Sequence, residues 1–233
     1  MDAQTTNLLH TIELFSALPP EQTNAIGDLC EWIRVEKGAT IIDQKTKSTD
    51  VYFIAEGRVA AKGYSHEGKE VTYAEIGAGQ VFGEFSAIDQ QQRSSAIEAV
   101  EDAYLAKLSS NAFRQILLDY PLLGLRLCEL LVAKNRSLTN RMFEYSTMAV
   151  SQRICAELLR MMHASDNDQS PGLIQPSPSH YEIATRLSTH REAVSKEIAS
   201  LTRKGILESG RKFIHILDPA RLRELTSYDF GGE

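Results

Sequence analysis

Val81-Phe82-Gly83-Glu84-Phe85-Ser86-Ala87-Ile88-Asp89, followed shortly by Arg93-Ser94-Ser95-Ala96, sets a cation and a carboxylate acceptor within one short loop. A ligand that combines a singly charged phosphodiester with a free ribose hydroxyl needs a cation, close backbone N–H donors and a carboxylate. The stretch supplies all three. Gly83 lets the backbone approach a ligand without interference from a Cβ. Arg93 can fork onto two phosphate oxygens, with the Ser94 hydroxyl as a further donor. Glu84 can accept a hydrogen bond from the 2′-hydroxyl. Taken singly, each residue would equally suit an exposed ion pair beside a hairpin turn; the ordered set favours a cyclic nucleotide.

Around this stretch, short apolar or β-branched runs (40–42, 51–54, 58–64, 70–76, 96–100 and 103–107) are separated by polar turns, with Gly38, Gly57, Gly68, Gly77 and Gly79 at the reversals. Such spacing predicts a small sandwich or barrel, and periodicity alone does not separate a roll from another barrel. Upstream, residues 7–36 read as short helices around Leu14-Phe15-Ser16-Ala17-Leu18-Pro19-Pro20 and over 26–33. From about Asn111 the pattern turns helical, with a break near Tyr120-Pro121, because proline disfavours helical geometry in the residue before it. Cys128, Leu131, Asn135, Leu138, Met142, Tyr145 and Ala149 then recur at alternating intervals of three and four, the 3.5-residue repeat of a coiled-coil seam. The seam is expected to be a homodimer interface in which Asn135 fixes the register. A helix lying on its own domain is the alternative. Residues 164–179, with three of the seven prolines, read as a connection and not as core.

The 233 residues, 42% hydrophobic and 24% charged, allow a sizeable core in one or two domains, and two fit better. No run of about 18 apolar residues occurs, and Met1-Asp2-Ala3-Gln4-Thr5 has neither the basic start nor the apolar core of a signal peptide. A cytoplasmic protein without membrane contact is expected. Cys30, Cys128 and Cys155 are odd in number and far apart, which suggests neither a disulfide framework nor a metal centre. The net charge of −6 sits N-terminally: residues 150–233 hold 11 basic and 11 acidic side chains, leaving 14 against 20 before them. Within 191–212 six basic residues face three acidic ones, which suits a small phosphate-facing patch.

Tyr181-Glu182-Ile183-Ala184-Thr185-Arg186-Leu187, then Ser188-Thr189-His190, then 191–201 reads as two short helices around a tight turn, the spacing of a helix-turn-helix. Ile183, Ala184, Leu187, Val194, Ile198 and Leu201 form the shared apolar face. Arg191, Glu192, Ser195 and Lys196 are left on the outer side at the start of the second helix, the part that enters the major groove in such motifs. Arg191 can fork onto guanine, Glu192 can accept from cytosine, and Lys196 can reach another base or a phosphate. His180, Tyr181 and His190 flank these positions as further DNA contacts. Residues 204–216 look like a two-stranded wing whose Arg211-Lys212 tip can touch phosphate.

Phe82-Gly83-Glu84 with Arg93-Ser94, the long helix and the helix-turn-helix, in that order, resemble the cyclic-AMP receptor protein family of bacterial transcription regulators over roughly residues 12–217. The resemblance implies an α+β chain: an N-terminal double-stranded β-helix (jelly-roll) binding a cyclic nucleotide (1–110), a dimerisation helix and hinge (111–147), and a winged helix-turn-helix binding double-stranded DNA (148–233). It also implies RNA polymerase as a partner. Tyr73, Ala74, Phe85, Ser95 and Lys134 join Gly83, Glu84, Arg93 and Ser94 as expected ligand contacts.

The chain departs from the family pattern in three places. Lys196 replaces an arginine, Ser188 replaces the turn glycine, and Leu138-Thr139 replaces a Thr-Ser pair that contacts adenine. Thr139 can still hydrogen-bond a base; Leu138 cannot. Cyclic AMP is therefore the first candidate effector and cyclic GMP the second. A haem or iron–sulfur sensor would need spaced cysteines or suitably placed histidine ligands, and the three cysteines do not supply the usual four-cysteine cluster. An enzyme such as a phosphodiesterase is not expected, because His10, His66, His163, His180, His190 and His215 are scattered singly. A constitutive DNA-binding dimer without ligand remains the rival reading.

Overall fold

The structure, a computed structural model, describes residues 8–65, 68, 70–165 and 171–226. Met1-Asp2-Ala3-Gln4-Thr5, His66 and the 166–170 part of the expected connection lie outside the described residues. Two 3-10 turns (Leu8–Thr11 and Glu13–Phe15) precede α1 (Pro20–Gly27), β1 (Glu31–Val35), β2 (Thr40–Ile42), β3 (Val51–Glu56), β4 (Arg58–Tyr64), β5 (Glu70–Gly77) and β6 (Val81–Phe82). Then come α2 (Glu84–Asp89), β7 (Ala96–Ala99), β8 (Ala103–Leu108), α3 (Ser110–Asp119), α4 (Pro121–Thr147) and α5 (Val150–Ser165). The chain closes with β9 (Leu173–Ile174), α6 (His180–Arg186), α7 (Arg191–Arg203), β10 (Leu207–Ser209), β11 (Ile214–Ile216) and α8 (Pro219–Glu224). It divides into two compact units, Met1–Asn135 and Arg136–Glu233, with the division inside α4.

The first unit is a roll of two antiparallel four-stranded sheets, in the orders β1-β8-β3-β6 and β2-β7-β4-β5. Strand β3 shows why it holds. Val51–Ala55 are all buried, and their alternation sends side chains into two different cores. Tyr52 and Ile54 face the core between the sheets with Ile42, Val59, Ala61, Ile76, Phe82 and Leu105, and Tyr52 stacks on Phe82 at 4.9 Å. Val51 and Phe53 face the core beneath the helices, where Phe53 meets Phe15 edge-on at 4.8 Å. Each such fully buried aromatic or aliphatic side chain contributes about 1.5–3 kcal/mol. Cys30 and Cys155 are buried, which pushes both thiols up to about 12, while Cys128 is exposed. Among the described residues no helix is long and apolar enough to cross a membrane.

Four local expectations are corrected. The helix expected over 26–33 ends at Gly27, and Trp32, Ile33 and Val35 lie on β1, paired with Ala106, Leu105 and Ala103 of β8. Long-range pairing outweighs local helical spacing there. The nucleotide stretch is not one loop: β6 pairs with β3, and α2 starts directly after Gly83. The 164–179 connection contains β9, whose Ile174 is only 2% exposed in the C-terminal core and pairs with Ile214 of β11. Leu131, expected on the open seam, is half-buried against the roll's core.

In the second unit, Ile154, Leu158, Ile183, Val194, Ile198, Leu201, Leu207 and Ile216 share one apolar core. Beside it Glu157, 3% exposed, faces Arg160 (3.0 Å), Arg186 (3.5 Å) and Arg141 (3.7 Å), while Arg160 also reaches Glu144 at 2.6 Å. Burial alone pushes the Glu157 carboxyl up, but the three guanidinium charges outweigh it and hold the group below its ordinary range. A depressed carboxylate stabilises the fold above its unfolded pKa, and that stabilisation is lost as pH falls through the lower, folded value. Glu157→Gln is expected to destabilise the chain at pH 7 by about 2 kcal/mol, below the ~3–5 of a fully buried pair because the arginines still touch water. The deficit should shrink below about pH 4.5. Urea unfolding of both proteins at pH 7 and pH 3.5 checks this, and an equal gap at the two pH values would contradict it.

Candidate functional site

Arg93 is the centre of the roll site. Its side chain is folded inward, 4% exposed, and its guanidinium meets only neutral oxygens: Nη1 donates to the Gly83 carbonyl (3.1 Å), and Nη2 to the Asp50 carbonyl (2.8 Å) and the Ser48 hydroxyl (3.0 Å). Its buried Nε–H has no partner. No carboxylate among the described residues lies within ion-pair distance of it. Burial pushes the Arg93 pKa down, a trend partly opposed by Tyr52, Asp50 and Glu84. A buried cation ligated by carbonyls and one hydroxyl, with an N–H left over, is an arrangement that an anion completes.

Gly83 serves this arrangement through its conformation and its lack of a side chain. It sits at φ +81°, which glycine adopts at little cost, and a Cβ there would stand 2.8 Å from the Asp50 oxygen and 2.9 Å from Arg93 Nη1. The glycine thus makes room for the arginine and for the Asp50 carbonyl that holds it. Glu84, also buried, accepts from the Lys134 ammonium at 2.7 Å, and the same ammonium donates to the Val81 carbonyl at 3.2 Å. Lys134, expected as a ligand contact, is paired with this carboxylate. A carboxylate held through Oε1 retains acceptor capacity on Oε2.

The other expected ligand residues are spread more widely. Ser94 is exposed and Ser95 half-buried beside Arg93; Phe85 is exposed on α2; Tyr73 and Ala74 are exposed on β5. Leu138 and Thr139 stand exposed on the part of α4 that belongs to the second unit. Ser48 had no sequence signal, because 45 residues separate it from Arg93 and only the fold brings it there.

In the second unit α6 begins with a capping box: the Ser179 hydroxyl accepts from the Glu182 N–H at 3.2 Å and the Glu182 carboxylate accepts from the Ser179 N–H at 2.6 Å. The Ser-x-x-Glu pattern ahead of the apolar face could have revealed it in advance. Ser188, in place of the turn glycine, takes the left-handed conformation itself at φ +49°. The six apolar residues of the two helices are all buried, leaving Tyr181, His190, Arg191, Glu192 and Lys196 exposed. Ser195 is only half-buried, and its hydroxyl is engaged by His180 Nδ1 (2.8 Å) and the Arg191 carbonyl (3.0 Å), so it braces the two helices. Burial, then the Arg191 charge, pushes the His180 pKa down. Arg211 and Lys212 are exposed at the wing tip, closed by the Gly210 N–H donating to the Phe213 carbonyl at 2.9 Å. On the seam, Cys128, Asn135, Leu138 and Met142 are exposed, whereas the Tyr145 hydroxyl donates to the Arg186 carbonyl at 2.7 Å and its ring lies under Arg153.

Residues 32–120 match the cyclic nucleotide-binding domain family, and residues 152–225 match the Crp-like helix-turn-helix domain. The chain is 28% identical over 213 residues to the cyclic AMP receptor protein of Thermus thermophilus, covering 91% of this chain and 95% of that one. To the transcriptional regulator SdrP of the same organism it is 30% identical over 174 residues, covering 75% and 82%. Among solved structures, a CooA variant from Carboxydothermus hydrogenoformans superposes with a TM-score of 0.78 at 21% identity, covering 95% and 99%, a likeness of fold.

Gly83→Ala is expected to strain the turn and push Arg93 from its carbonyls, at about 2 kcal/mol, or roughly 4–8 °C in Tm. Thermal unfolding checks this; a Tm within a degree of the parent would contradict it.

Proposed function

Because the chain belongs to the cyclic-AMP receptor protein family of bacterial transcription regulators, we propose that it is a homodimer that binds a cyclic nucleotide in its roll and a palindromic DNA site through its helix-turn-helices. One observation carries the nucleotide part: the buried Arg93 guanidinium, held by neutral oxygens alone and with its Nε–H unpartnered. The phosphodiester of cyclic AMP, or of cyclic GMP, completes that site, and Glu84 accepts from the ribose hydroxyl. No metal is required.

Large apolar side chains left exposed along α4, namely Leu122, Leu125, Val132, Leu138 and Met142, the last at 72%, favour a partner helix from a second copy. Lys134 on α4 connects the nucleotide site to this same helix through Glu84. The mechanism is a population shift: ligand favours the dimer whose recognition helices enter successive major grooves about 34 Å apart, and only by its difference in affinity for the two states. RNA polymerase is the partner through which such a dimer regulates transcription.

Calorimetric titration with cyclic AMP and cyclic GMP tests the reading. Heat with at least one nucleotide, lost in Arg93→Ala and strengthened by palindromic DNA, is expected. No heat with either would favour a ligand-free or other-effector regulator. On the DNA side, Arg191→Ala should cost about 1–3 kcal/mol at a single guanine, whereas Lys212→Ala should weaken all sequences alike and lower the salt slope by about one. Equal losses on specific and random DNA for both variants would refute that division.

A further inference from the structure

The Arg93 guanidinium is bonded unevenly along its edges. Nη2 donates to the Asp50 carbonyl at 2.8 Å and to the Ser48 hydroxyl at 3.0 Å, which uses both of its hydrogens, while the buried Nε–H beside it is not taken. An arginine that takes two oxygens of one anion side-on does so through Nε–H and the adjacent Nη2 hydrogen, so such a fork here requires one Nη2 acceptor to leave. The two acceptors differ in freedom. The Asp50 carbonyl is backbone, and its segment is tied down on either side: the Thr49 hydroxyl lies 2.9 Å from that of Ser110, the first residue of α3, and the Asp50 carboxylate lies 3.8 Å from the Lys107 ammonium. Ser48 is only half-buried, and its hydroxyl leaves Nη2 by one rotation about Cα–Cβ. That hydroxyl also has a chemistry the carbonyl lacks. While it accepts from Arg93 its own proton is directed away from the guanidinium, and after the rotation it can donate that proton to an anion.

We propose that Ser48 is the exchangeable partner of Arg93: in the free chain it holds the place of an anion oxygen on Nη2, and when the phosphodiester arrives it turns and donates its proton to one of the two exocyclic oxygens. This deepens the nucleotide-binding proposal and rests on it. The exchange leaves no group stranded. Arg93 trades a neutral hydroxyl for a charged oxygen, Ser48 trades the role of acceptor for that of donor, and the buried Nε–H gains its partner. A stereochemical consequence follows. The two exocyclic oxygens of a cyclic nucleotide are not equivalent, because the sugar is chiral, and a single hydroxyl meets only one of them. Sulfur accepts hydrogen bonds weakly. A phosphorothioate with sulfur at that place has therefore already lost the Ser48 bond, whereas its diastereomer keeps it.

The test is calorimetric titration of the full chain and its variants with cyclic AMP and the two diastereomers of its phosphorothioate, and in parallel with the same forms of cyclic GMP. Ser48→Ala should weaken the unmodified nucleotide and one diastereomer by roughly 5- to 50-fold, and the other diastereomer by less than about twofold, because that complex lacks the bond the substitution removes. Ser48→Thr, which keeps the hydroxyl, should recover most of the loss. Equal losses for the two diastereomers in Ser48→Ala would reduce the residue to a support for Arg93 and overturn the exchange, and so would parental affinity for every form. In either case, loss of binding in Arg93→Ala would leave the nucleotide site itself standing. Absence of binding by the parent chain would overturn both.

Discussion

A cation without an anion organises the roll. Burying the Arg93 guanidinium is costly unless its N–H groups find acceptors, and hydrogen bonds from a charged group are worth about 1.5–3 kcal/mol each. The Gly83 and Asp50 carbonyls and the Ser48 hydroxyl supply acceptors from two other segments, so one side chain ties three pieces of chain together. That links the 48–50 segment, the left-handed Gly83 and the start of α2. Neutral acceptors spread the charge without cancelling it, which leaves the site electrostatically open to a phosphate.

Buried charge in the second unit is handled in the opposite way. Glu157 and Glu144 are met by Arg160, Arg141 and Arg186, full charges of opposite sign, and that cluster acts as a brace between the end of α4, α5 and α6. The helix-turn-helix it supports is stiffened again by the capping box at Ser179 and by the His180–Ser195 bond. Rigidity of that kind suits the proposed reading role of this element, on which Arg191, Glu192 and Lys196 are exposed.

Much of this was legible in the residues. The strand runs, the long helix after Tyr120-Pro121, the two helices around Ser188 and the apolar face they share all follow from local period and turn chemistry. Other features were hidden. Strand β1 falls partly within the 26–33 stretch that reads as helix, whereas its identity comes from β8, more than 65 residues away. Strand β9 was concealed in a proline-rich stretch, and its place depends on Ile214. The partners of several side chains were hidden too: Lys134 pairs with Glu84, and the Ser195 hydroxyl meets His180 and the Arg191 carbonyl.

The sequence by itself determined the kinds of element, their order, and the chemistry available in the Gly83-Glu84 and Arg93 stretch, because helical period, strand alternation and side-chain type are local properties. Only the tertiary structure decided which groups meet. Arg93 reaches Asp50 across 43 positions, and Lys134 reaches Glu84 across 50. Such pairings are set by how sheets and helices close on one another, and no local pattern records them.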